Sequence, residues 1–108
     1  MESGIEKGAE RIPTREEVLE IISHFAENVV LVRELSDEQG TYLLEVKVEG
    51  EKSDGVIQYE YMRKGRFINH NEASETAVYV VYYESEMPVG GDKVAVYDSE
   101  ANEWQKIK

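Results

Sequence analysis

Thr14-Arg-Glu-Glu-Val-Leu-Glu-Ile-Ile-Ser-His-Phe-Ala-Glu-Asn28 decides the fold, because helical periodicity is clean here and is followed by strand signals to the end of the chain. Thr14 and Glu17 stand at capping-box spacing. The Thr14 hydroxyl accepts from the Glu17 amide, and the Glu17 carboxylate accepts from the Thr14 amide. Glu16 and Glu17 also sit in the first turn, where the helix dipole favours negative charge. Val18, Ile21, Ile22, Phe25 and Ala26 recur at i, i+3, i+4, i+7 and i+8, which predicts a helix with one buried face ending near Asn28.

Working outward, residues 1–11 carry charges and two glycines without an apolar period, and they are expected to form a flexible arm ahead of a single domain spanning 12–108. Downstream, residues 29–35 open with four consecutive apolar side chains. Such a run predicts a strand covered on both faces, at the sheet centre or beneath the helix. Residues 41–49 alternate, with Tyr42, Leu44, Val46 and Val48 on one face. A hairpin through Asp54-Gly55 leads into a strand over 56–63, which Lys64-Gly65 turns back into 66–68. Residues 69–75 are polar and read as a loop. Residues 76–83 are Thr, Ala, Val and Tyr without a breaker, which predicts a strand near the sheet centre.

Met87-Pro-Val-Gly-Gly91 reads as a turn, and residues 93–97 and 103–107 as a last hairpin across 98–102. The fold class that follows is α+β: one N-terminal amphipathic helix packed on a curved, mostly antiparallel sheet of six or seven strands. The arrangement resembles the cystatin-like folds, with a partly rolled barrel as the second architecture.

Composition narrows the function classes. The chain of 108 residues has 23 acidic and 12 basic side chains, a formal charge of −11. A phosphate backbone is repelled by that field, so nucleic acid is an unfavoured partner, whereas a basic protein or a cation is compatible with it. The absence of cysteine removes disulfides, thiolate zinc sites and thiol nucleophiles. No apolar run reaches the ~20 residues of a membrane span, and a secretory pattern is missing from the first residues. These features predict a cytoplasmic protein that does not engage a membrane. No cofactor signature is present, since Gly90-Gly91 lacks the strand–loop–helix context and the Lys of a phosphate loop.

Four groups of residues merit consideration as sites. Arg63-Lys64-Gly65-Arg66 gathers three cations into four residues beside Tyr59, Tyr61 and Phe67, a pattern that suits a binding hairpin. Tyr79, Tyr82 and Tyr83 cannot all enter one core, because strand neighbours alternate faces. Tyr79 and Tyr83 are therefore expected to form an aromatic surface for an unidentified protein partner or for a second copy of the chain. Asp98, Glu100 and Asn102 place oxygen side chains at alternate positions, as in the first half of a calcium loop, although Glu103 stands where the sharp turn needs glycine. His24 and His70 are the available imidazoles for an enzyme with a pocket between helix and sheet, and no spacing joins them on one element.

Gly90-Gly91, Val94-Ala-Val-Tyr-Asp98 and Asn102-Glu-Trp104 resemble half of a kelch repeat. The stretch occurs once, and a propeller needs several blades of roughly 50 residues. The resemblance therefore implies only a hairpin with an aromatic on each strand. The expected function is a non-catalytic protein-interaction or ligand-binding module. Weak calcium binding and a small helix–sheet enzyme are the alternatives.

Overall fold

The computed structural model describes residues 12–38, 40–50, 54–65, 67–68 and 71–107. Over these residues the chain forms helix α1 (Arg15–Ser23) and strands β1 (Val29–Asp37), β2 (Gly40–Val48), β3 (Asp54–Met62), β4 (Phe67–Ile68), β5 (Asn71–Glu72), β6 (Ala77–Glu84), β7 (Met87–Asp98) and β8 (Glu103–Lys106). Six strands make one sheet in the order β1-β2-β3-β6-β7-β8, with every neighbouring pair antiparallel. Among the described residues β4 and β5 pair only with each other, as a short ribbon inserted between β3 and β6. The result is an α+β meander, and no helix among the described residues is long and apolar enough to cross a membrane.

The helix begins as its capping residues require. Glu17 N–H donates to Thr14 Oγ1 at 3.1 Å and Thr14 N–H donates to Glu17 Oε1 at 2.8 Å. It ends earlier than its apolar stripe, at Ser23, with His24 as C-cap donating to the Ile21 and Ile22 carbonyls. The last turn tightens, and Phe25 N–H reaches the Ile22 carbonyl at 2.9 Å. The chain then reverses at Asn28, whose φ of 56° lies in the left-handed region that Asn tolerates better than most residues. Glu49 N–H donates to the Asn28 carbonyl at 2.7 Å, so the end of β2 pins this exit. Phe25 and Ala26 still pack on the core from outside the helix.

The core lies between α1 and one face of the sheet. Val18, Ile21 and Ile22 from the helix meet Leu44 and Val46 on β2, Tyr59 and Tyr61 on β3, Val78 and Val80 on β6, and Ala95 on β7. The register explains this set, since Leu44, Tyr61, Val78 and Ala95 stand opposite one another in successive pairs, as do Val46, Tyr59 and Val80. Burying each of the larger aliphatic side chains contributes about 1.5–3 kcal/mol of transfer free energy. β6 lies between β3 and β7, within the sheet, as its two apolar faces imply.

Three parts of the meander differ from the sequence reading. β1 is an edge strand rather than a central or doubly covered one, and Val30, Leu31 and Val32 are exposed on it. Residues 67–68 do not return along β3. Phe67 and Ile68 pair instead with Glu72 and Asn71, and the partner of β3 is β6. Residues 87–91 are not a turn but the start of β7. The reversal lies at Ser85 and Glu86, with φ of 52° and 68°, as in a two-residue hairpin turn of the primed type. Pro88 is accommodated because residues 87–92 pair with β6 alone, leaving its missing donor on the open side. The flexible arm expected over 1–11 falls outside the described residues.

Candidate functional site

The basic hairpin is divided by its own alternation. Ile57, Tyr59 and Tyr61 face the helix, and the same period turns Arg63 inward just past the end of β3. Arg63 is 5% exposed. Its Nη2 lies 3.3 Å from Asp37 Oδ1, and its guanidinium carbon sits 5.8 Å from the Tyr42 ring centroid. It is therefore a buried strut between β3 and the β1–β2 hairpin, not an accessible cation, because a guanidinium leaves water only when paired and stacked. Lys64 is exposed, and its N–H donates to Thr76 Oγ1 at 3.1 Å. It lines a shallow hollow of about 280 Å³ with Ser74, Glu75, Thr76, Tyr97 and Ser99. Arg66 and His70 lie outside the described residues.

Tyr79 and Tyr83 occupy the sheet face opposite the helix, and both are half-buried. Tyr83 Oη donates to Glu60 Oε2 at 3.2 Å, and Glu60 stands directly opposite Glu45 in the β2–β3 pair. Arg33 Nη2 completes the row, 3.4 Å from Glu45 Oε2. Burial, and then the Glu45 charge, push the Glu60 carboxyl above the usual carboxylate range. Burial and the Glu60 carboxylate push the Tyr83 hydroxyl up to about 12. The row Arg33–Glu45–Glu60–Tyr83 thus crosses four strands and spends its polar groups on itself. Tyr79 is raised by burial. Beside Tyr83 is an open depression of about 310 Å³ that also touches Lys47, Val56, Gln58 and Glu86.

Asp98 closes its own turn. Its Oδ1 accepts from the amides of Glu100 and Ala101 at 3.0 and 3.2 Å, and its Oδ2 accepts from Gln105 Nε2 at 3.2 Å. That is an Asx-type hairpin turn, with Asn102 at φ 57°. Glu100 and Asn102 are exposed beside it, and no group of three His, Cys, Asp or Glu among the described residues could hold a metal ion. His24 is exposed at the end of the helix. Neither hollow described above lies between α1 and the sheet, where the core side chains fill the space.

The sheet edges remain, and they differ. β8 is four residues long, with Glu103 and Lys106 at its ends. The open part of β7 exposes Met87 and Val89, but it also carries Pro88, two glycines and Asp92, which are poor for further pairing. β1 is nine residues long and begins Val29-Val-Leu-Val32. Val30, Leu31 and Val32 are 38%, 40% and 50% exposed, and among the described residues β1 has a hydrogen-bonded neighbour, β2, on one side only. Register shifts after Leu31 and after Leu35 twist the strand without shortening it. Nothing in the sequence marked this strand as an edge. The signal that existed was the short charged C-terminal strand, which suits the opposite edge.

No protein-family model matches the chain, and no curated protein or solved structure matches it either.

Proposed function

We propose that the chain is a non-catalytic interaction module that takes an extended segment of another polypeptide onto the open edge of β1. The observation that carries this reading is the contrast between edges. An edge with unpaired N–H and C=O groups templates further pairing unless charge, proline, bulges or brevity block it. β1 carries two register shifts but no proline, and it presents three consecutive exposed aliphatic side chains, Val30, Leu31 and Val32. Strand addition draws affinity from main-chain hydrogen bonds and specificity from alternate side chains. Val30, Leu31 and Val32 offer exposed side chains for such contacts. Our reading of the architecture is cystatin-like rather than barrel-like, since β1 and β8 each end the strand order and leave the sheet open.

Selection from a displayed library of linear peptides tests the reading. Peptides enriched on the wild-type protein should bind V30S/V32S, which keeps the charge and removes the exposed apolar contacts, at least about tenfold more weakly. Enriched peptides indifferent to that substitution would contradict it.

A further inference from the structure

The segment that builds the open edge also carries much of the chain's charge. Between Thr14 and Glu38 there are seven acidic and two basic side chains, a balance of −5 within a total of −11. Both arginines are already engaged. Arg15 Nε lies 3.0 Å from Glu34 Oε1, tying α1 to β1, and Arg33 reaches Glu45 on β2. Asp37 is matched by Arg63. Glu16 and Glu20 on the exposed face of α1, Glu27 ahead of β1 and Glu38 just after it are all exposed, and no ion pair among the described residues includes them. The edge thus opens with an uncharged aliphatic stretch, residues 29–32, and continues through Arg33, Glu34 and Asp37, each held in an ion pair. Exposed carboxylates lie beyond both ends and along the helix beside it.

From this we propose that the partner segment is cationic: an extended strand alternating apolar residues with Lys or Arg. The inference rests on the β1-edge reading and adds the partner's chemistry to it. Carboxylates at the two ends of β1 lie within about one Debye length of a strand laid along it at physiological salt, so they steer a basic segment and fix where it stops. The same field opposes a second copy of this chain, because two protomers of −11 would place these carboxylates against one another.

Three synthetic peptides test it: Lys-Val-Lys-Val-Lys-Val-Lys, and the same peptide with every Lys replaced by Gln or by Glu. Titrations against the full chain should show the Lys peptide binding at least about tenfold tighter than the Gln peptide, with the Glu peptide not binding. Affinity of the Lys peptide should fall with added salt, with E27Q/E38Q and with V30S/V32S. Equal binding of the Lys and Gln peptides would overturn the cationic partner and leave the edge reading standing. Lys-peptide binding unaffected by V30S/V32S would mean diffuse attraction to an acidic protein and would overturn the proposal. Binding of none of the three would count against the edge reading itself, and a dimer in sedimentation of the chain alone would make a second copy the occupant instead.

Discussion

Glu60 faces Glu45 across the β2–β3 pair, two carboxylates side by side on a half-covered sheet face, with one hydroxyl and one guanidinium in attendance. Like charges opposite one another destabilise a sheet unless a proton or a cation intervenes. Here Arg33 lies beside Glu45, while burial raises the Glu60 carboxyl.

The pH dependence follows from that direction. A carboxyl with a folded-state pKa above its unfolded value binds its proton more tightly when folded. The protein therefore loses stability as pH rises from the ordinary glutamate range through the raised value. E60Q, which keeps an acceptor for Tyr83, should be more stable than wild type at pH 7, with the gap closing below about pH 4. Urea unfolding of both proteins at the two pH values checks this. A variant weaker than wild type at pH 7 would contradict the account.

Arg63 should behave as a core residue. Removing a buried guanidinium takes the Arg63 charge away from Asp37 and the stacked cation off the Tyr42 ring. Because the Asp37 side chain keeps some exposure, R63A is expected to cost about 2–4 kcal/mol, at or below the range for fully buried pairs. K64A, at an exposed position, should stay within about 0.5 kcal/mol of wild type. Denaturant midpoints for the two variants separate a strut from a surface cation.

Tyr61 is fully buried, and its hydroxyl has no hydrogen-bond partner among the described residues, as is true of the Trp104 indole N–H beside it. The two rings meet edge to face at 6.3 Å. Burial holds the Tyr61 hydroxyl up at about 12. Y61F keeps the ring packing and removes an unmet polar group, so it should leave stability unchanged or raise it by about 1–3 kcal/mol, whereas Y61A should cost about 3–5 kcal/mol. A large loss in Y61F would show that the hydroxyl is bonded in solution.

The β6–β7 turn is built from the wrong residues for its geometry. Ser85 and Glu86 both sit at positive φ, where Asn-Gly is preferred. S85N/E86G should therefore raise the unfolding free energy by about 1 kcal/mol or more. Six residues on, Gly91 is where a Cβ would fall 2.8 Å from the Val80 carbonyl oxygen, and G91A should cost about 1–3 kcal/mol. Thermal melts of the two variants should move in opposite directions.

What the sequence made legible, and what it hid, can be traced to particular residues. The capping box, the apolar face of α1, the alternation of β2 and the central place of β6 all follow local rules that tertiary structure did not override. The turn at Ser85 was invisible because neither Ser85 nor Glu86 favours the positive φ of a primed turn, while Pro88 and Gly90-Gly91 advertised a reversal that the open side of β7 made unnecessary. The run Val29–Val32 looked doubly buried because four apolar residues in a row report low polarity, not coverage. Strand order, which sets coverage, is nonlocal. Arg63 was readable in principle, since period two carries Tyr59 and Tyr61 on to it, but its charge outweighed its register. The edge of β1 emerges only once all six strands are placed.

The most direct test of the central claim is amide hydrogen exchange along β1, read residue by residue by NMR, with and without the Lys-Val peptide. In the free chain the β1 amides not bonded to β2 should exchange as open-edge groups do. The peptide should slow those amides selectively, while the edge amides of β8 and of residues 87–92 stay as they were. Slowing confined to β1 is expected. Peptide-bound protein whose β1 amides exchange as fast as in the free chain would contradict it.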